Sequence, residues 1–315
     1  MQNSNPFAPG AVRTITSPVT DEQTRPLEPH CRAVIVDGLL LDGEHRRVAD
    51  FLRDYPDQRV CLSGREVPGI AFLKYYPFVK HLRIDLWALH DFSGIESLAD
   101  ELEILELGQK KSTSLSLQFL GQCRKLKRLQ VEGEHADFSV IKRLTQLEDL
   151  KLRSVPLPNL KELEALTGLK RLHIGLGGTK NLSSLPDIGA LKELGLWKVS
   201  GLSDVSMISR IESLSSLSLR ELKQVTRLPS FESLQKLRDL DLYCMKGLRD
   251  LSPVTQARNL EVLFVTNCNQ FSAEDFQPLT GLPKLKHGII GVGSLRRNEA
   301  ITTMLQLETP KPQFA

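Results

Sequence analysis

The chain has 315 residues, with 41 Lys and Arg against 38 Asp and Glu, a net charge of +3, and 41% hydrophobic residues. That balance lacks the markedly basic stripe a nucleic-acid partner calls for, so none is expected. Five cysteines, Cys31, Cys61, Cys123, Cys244 and Cys268, stand far apart without C-x-x-C spacing, which fits reduced thiols in a cytosol rather than a disulfide framework or a zinc site.

Residues 1–30 are rich in Pro, Ser, Thr, Asn and Gln and carry no basic segment followed by an apolar one. A disordered tail without a conventional signal peptide is expected there. Residues 31–56 read as an N-terminal cap. Ala33-Val34-Ile35-Val36 forms a strand, and Asp42-Gly43-Glu44 opens a helix with Val48, Phe51, Leu52 and Tyr55 at helical spacing, ended by Pro56. An open repeat array needs such a cap, because its end would otherwise expose core and unpaired strand edges. No apolar run approaches the ~20 residues that cross a bilayer, so membrane insertion is not expected.

Residues 57–293 carry one phrase, L-x-x-L-x-L, at intervals of 21 to 25 residues. It reads Leu102-Leu105-Leu107, Leu126-Leu129-Val131, Leu147-Leu150-Leu152 and Leu169-Leu172-Ile174. It continues as Leu191-Leu194-Leu196, Leu214-Leu217-Leu219, Leu237-Leu240-Leu242 and Leu260-Leu263-Val265, with weaker copies on either side. A period of this length predicts a solenoid, each repeat burying its apolar side against its neighbours. Between the phrases apolar residues step by three, as in Leu222, Val225, Leu228, Phe231 and Leu234. That step suits 3₁₀ turns, in which i and i+3 eclipse. Ser272-Ala273-Glu274-Asp275 predicts a true helical turn bearing Phe276 and Leu279. Ser294 caps a terminal helix over 294–308, and residues 309–315 are expected as a loose tail.

The phrase and the apolar ladder behind it resemble the leucine-rich-repeat family. The slot that often holds Asn three residues after the strand holds Val155, Val199, Leu222, Met245 and Cys268, so the loop is packed rather than hydrogen-bonded. The run from Val265 to Phe271 and the Arg227-Leu228-Pro229 step resemble plant intracellular immune receptors, and the spacing resembles bacterial internalin-type repeats. A departure from both is expected, since neither a nucleotide-binding module nor a conventional secretion signal is read in these residues. The resemblance implies an α/β solenoid: a horseshoe with a concave parallel β-sheet and short 3₁₀ or helical turns on the convex side.

No catalytic pattern emerges. None of the seven histidines shares H-x-x-x-H or H-E-x-x-H spacing with another, and no Ser or Cys sits in a G-x-S-x-G turn. Gly175-Leu176-Gly177-Gly178-Thr179-Lys180 lacks phosphate-loop spacing and reads as a wide turn. Asp37 and Asp42 flank three leucines that supply no side-chain oxygen to calcium. No enzyme, cofactor or metal site is expected. Trp87, three residues past Ile84, is expected in the core.

In Leu-x-Leu the intervening residue points away from the core, and so does the residue after. Trp197, Arg220, Tyr243 and Thr266 then form one column of the concave face; His173, Gly195, Ser218, Asp241 and Phe264 form a second; Arg171, Glu193, Ser216, Asp239 and Val262 form a third. Aromatic and Arg side chains are the types enriched in binding hot spots. The expected partner-binding set is Arg171, His173, Trp197, Arg220, Asp239, Asp241, Tyr243, Val262 and Phe264, with Gly195 leaving room for an inserted side chain. The face upstream (His81, Arg83, Asp85, Glu106, Arg128, Gln130, Glu132, Lys151, Arg153) mixes charge signs and reads as solvated. The expected role is a cytoplasmic, non-enzymatic scaffold that holds a protein or peptide partner. The alternative is a secreted bacterial effector that captures a host protein; the rival from another class is an enzyme, a hydrolase or transferase, with an active site built from His, Asp and Cys residues of the concave face.

Overall fold

The computed structural model describes residues 11–108 and 114–309. The chain divides into two compact units, Met1–Asp149 and Leu150–Ala315.

The first unit carries β1 (Val12–Ile15), β2 (Ala33–Asp37), α1 (Asp42–Leu52), β3 (Arg59–Gly64), β4 (His81–Leu86), β5 (Ile104–Leu107), β6 (Leu115–Ser116), β7 (Arg128–Glu132) and β8 (His135–Ala136). Strands β1, β2, β3, β4, β5 and β7 lie side by side in that order and all run parallel. Strands β6 and β8 form a separate small parallel sheet. Parallel neighbours need a crossover, and here 3₁₀ turns supply it, as at Ala71–Tyr75 and Ile95–Leu98. Ile70, Leu82, Ile95, Leu98, Leu102 and Leu105 are fully buried between sheet and turns. Each such leucine contributes about 1.5–3 kcal/mol by leaving water.

The expected disorder of residues 1–30 is corrected over residues 11–30. Val12–Ile15 pairs with Ala33–Val36, and Ile15 is wholly buried. Long-range polar contacts hold the following segment. Glu44 on α1 accepts hydrogen bonds from the Ser17 hydroxyl and the Val19 amide, both at 3.0 Å, and Arg47 donates to the Val19 carbonyl at 3.0 Å. Arg13 donates to the carbonyls of Gln23 and Arg25 at 3.2 and 3.1 Å. Polar composition signalled disorder because it carries no information about partners some 25 residues away. Residues 1–10 of that expected tail, and 310–315 of the terminal one, lie outside the described residues.

The second unit contains β9 (Asp149–Arg153, starting at the boundary), β10 (Arg171–Gly175), β11 (Glu193–Trp197), β12 (Ser216–Arg220), β13 (Asp239–Tyr243), β14 (Val262–Thr266), β15 (His287–Gly291) and α2 (Leu295–Met304). From β10 to β15 the pairing is parallel with no slip in register. The strand leucines Leu172, Leu194, Leu217, Leu240 and Leu263 stack in one buried row. Behind them lie the step-of-three residues, among them Leu222, Val225, Phe231 and Leu234. The expected helical turn after Ser272 is instead a 3₁₀ segment, Glu274–Gly281, that contains Pro278. Proline has no amide hydrogen and clashes with an α-helical turn. Ser294 caps α2 by accepting from the Arg297 amide at 3.3 Å.

One backbone device recurs in this unit. The residue after each strand from β9 to β14 (Ser154, Leu176, Lys198, Glu221, Cys244 and Asn267) is left-handed, with φ from 52° to 56°. From Ser154 to Cys244 its amide donates to a carbonyl at the end of the next strand, as in Lys198 to Arg220 at 2.8 Å. The turn carries the chain off the sheet into the packed loop, at about 1–2 kcal/mol of strain per non-glycine residue. No helix among the described residues is long and apolar enough to cross a membrane.

Candidate functional site

The three expected columns are present in the register of the second unit. Arg171, Glu193, Ser216, Asp239, Val262 and His287 align; so do His173, Gly195, Ser218, Asp241, Phe264 and Ile289; so do Gly175, Trp197, Arg220, Tyr243, Thr266 and Gly291. Adjacent parallel strands lie ~4.8 Å apart, so Trp197, Arg220 and Tyr243 fall within ~10 Å.

Their side chains form a ladder of alternating cations and rings. Trp197 leans across Gly175, where its ring would press on a Cβ at 3.0 Å. There the Arg153 guanidinium lies 5.4 Å from the indole centroid. On the other side the indole N–H donates to Glu221 at 2.9 Å. The Arg220 guanidinium lies 5.9 Å from the Tyr243 ring centroid, and its Nε sits 2.5 Å from Asp241. Asp241 also accepts from the Ser218 hydroxyl at 2.8 Å. Beside the ladder Phe264 is half-buried, while Ile289 keeps 46% of its surface exposed. Asp239 is half-buried, and burial, followed by the nearby Glu261 carboxylate, raises its pKa against the pull of Arg238.

Three expectations for this face are corrected. Val262 is only 2% exposed, a short side chain standing between the longer ones of Asp239 and His287, so it offers no contact area. Gly195 leaves no room for a guest, because the His173 ring occupies the space: a Cβ on Gly195 would stand 2.3 Å from His173 Nδ1. Asp241, expected to receive an incoming cation, already holds Arg220. Arg171 lies half-buried in its column. Sequence reasoning missed Arg153 and Glu221. The signal for Arg153 was Gly175 between it and Trp197 in the same column, a gap that lets the indole reach over.

In the first unit the mixed charges of the sheet face pair with one another. Glu106 receives Arg59 at 2.5 Å, His81 at 2.9 Å and Arg83 at 3.0 Å, and Arg83 also pairs with Asp85. Burial alone would raise the Glu106 pKa. The His81 hydrogen bond and the charges of Arg59 and Arg83 outweigh it and hold the carboxyl at about 2. This is a locked ionic knot rather than the freely solvated face the alternating signs predicted. Trp87, expected in the core, is 49% exposed beyond the end of β4.

Among solved structures 190 chains match. An internalin (InlF) from Listeria monocytogenes superposes with a TM-score of 0.55 at 17% identity, covering 92% of this chain and 88% of that one. The fold is a leucine-rich repeat. Internalin C2 from the same organism matches at 17% identity over 78% of this chain and 82% of that one, with a TM-score of 0.35. No family model matches the chain, and no curated protein matches it. In leucine-rich-repeat terms, the ladder lies on the side chains the strands turn away from the core.

Proposed function

We propose that the chain is a non-enzymatic protein-binding scaffold whose open sheet face in the second unit holds a protein or peptide segment. One observation carries the reading. Trp197, Tyr243 and Phe264 are all only half-buried, on strands whose backbone is fixed by pairing on both sides, and Ile289 on the last strand is 46% exposed. Aromatic rings flanked by arginine lose little conformational freedom when a partner covers them, and each is worth about 2 kcal/mol when fully desolvated. The internalin fold supports the reading at the level of architecture.

The experiment is affinity capture from the protein's own cell type, comparing the wild type with a Trp197→Ala, Tyr243→Ala double variant whose fold is checked by circular dichroism. A partner held by the wild type should be lost by the variant, since even one such ring corresponds to about thirtyfold in affinity. Equal capture by both would remove the ladder from the interface.

A further inference from the structure

Asp239 stands on the open sheet face of the second unit without a partner of its own. It is half-buried, yet it accepts no hydrogen bond and forms no ion pair with any described residue. Glu193, two strands away at the same register position, is likewise half-buried and unpaired. Between them lies Ser216, whose hydroxyl bonds to neither. Burial lifts the Asp239 pKa most, and the charges of Glu261 and Glu193 add to that against the pull of Arg238.

The neighbouring cations do not relieve this pair. Arg238 is held by Glu261, and Arg220 in the adjacent column is held by Asp241. Arg171, at the head of the column, forms no ion pair with Glu193, and His287 beyond Val262 leans to Glu308 at 3.8 Å. A carboxylate drawn out of water without a partner is destabilised, and an arriving cation reverses that loss. Next to the pair the face turns apolar. Val262 lies flush with the sheet, Phe264 is half-buried, and Ile289 is 46% exposed.

We infer that the guest of this face is a peptide segment that sets an arginine side chain over Ser216, between Glu193 and Asp239, and an apolar residue over Phe264 and Ile289. The inference rests on the open-face reading and adds the chemistry of the partner. Strands β11 and β13 lie ~10 Å apart, so a guanidinium midway is within side-chain reach of both carboxylates. Arginine suits the gap better than lysine, because its planar fork offers N–H groups to two acceptors at once. From β12 to β15 is three strand steps, ~14 Å, which an extended chain covers in about four residues. The arginine and the apolar residue therefore stand about four positions apart in the guest.

The test uses the full chain, immobilised, and three pools of labelled peptides about ten residues long. Each pool mixes Gly, Ser, Leu and Phe around one fixed central residue, which is Arg, Gln or Glu. The Arg pool should be retained at least about tenfold over the Gln pool, with the Glu pool retained least. Glu193→Gln with Asp239→Asn should bring the Arg pool down to the Gln level. The same variant should melt at or above the wild-type midpoint, since it breaks no contact within the fold. Phe264→Ala should weaken the Arg and Gln pools together and leave their ratio unchanged. A lower midpoint for the carboxylate variant would assign Glu193 and Asp239 to the fold and overturn the inference. Equal retention of the Gln and Arg pools, still dependent on Phe264, would overturn it and leave the open-face reading standing. Retention of none of the pools would overturn both.

Discussion

Replacing Glu106 by Gln tests whether the ionic knot of the first unit stabilises it through the carboxylate's charge. Gln keeps the shape and can still accept from one donor, but it leaves Arg59, His81 and Arg83 facing one another. The carboxyl falls from an ordinary 4.5 to about 2 in the fold. That difference of about 2.5 units corresponds to about 3 kcal/mol at neutral pH. Glu106 is only 13% exposed in its side chain, but Arg59 and Arg83 are 33% and 31% exposed and recover some hydration when it goes. About 2 kcal/mol is therefore the expected loss. Because the folded pKa lies below the unfolded one, the contribution is complete above pH 4.5 and drains as pH falls toward 2. At pH 3 the gap between wild type and variant should have shrunk to about 1 kcal/mol or less. Urea unfolding followed by circular dichroism at pH 7 and pH 3 measures it. Native-state hydrogen exchange at the Leu82 and Leu105 amides, on the strands bearing His81, Arg83 and Glu106, gives the local value. A loss below about 0.5 kcal/mol at pH 7, or a gap unchanged at pH 3, would refute the argument.

Three further outcomes follow from other parts of the fold. His45 is 3% exposed, its ring stacked 4.0 Å from Phe72 and its Nδ1 3.0 Å from the Tyr76 hydroxyl. Burial, opposed by Asp42 and Glu44, pushes its pKa down to about 4. Its imidazole should stay neutral in an NMR titration until pH nears 4, while the unfolded chain takes up a proton from pH 6.5 downward, so stability falls across that window; a midpoint near 6.5 would contradict the burial argument. Gly195→Ala should cost about 1–3 kcal/mol by displacing the His173 ring, read as a lower thermal midpoint, and an unchanged midpoint would show that the ring yields freely. Asn267, left-handed at φ 53°, should tolerate Gly, whereas Asn267→Val should cost about 1–2 kcal/mol in urea. Equal stability of the two variants would mean that the turn adapts.

Much of the architecture was legible because one constraint is repeated. A strand with Leu at alternate positions can bury only one side, and a fixed interval leaves the next repeat one register to adopt. Leu194, Leu217, Leu240 and Leu263 therefore had to stack, which placed Trp197, Arg220 and Tyr243 in one column before any coordinates. The step of three likewise implied 3₁₀ turns, since eclipsed positions point to one side. Pro278 marked where the expected helical turn after Ser272 gave way.

What the sequence determined by itself is what depends on local period: the parallel repeat, its core rows, and which side chains share a face. Tertiary structure alone decided what depends on the direction a long side chain takes once it leaves the backbone. Alternation puts His173 beside Gly195 and Arg153 two strands from Trp197, yet only packing lays one ring over the glycine and the other beneath a guanidinium. Alternating charges at Arg59, His81, Arg83 and Glu106 read as solvated until the fold closed three donors on one carboxylate. Residues 11–30 looked too polar to fold because their stabilising partners, Glu44 and Arg47, are remote in sequence. Period is a property of the chain; a polar contact also needs the position of its partner in space, which period does not encode.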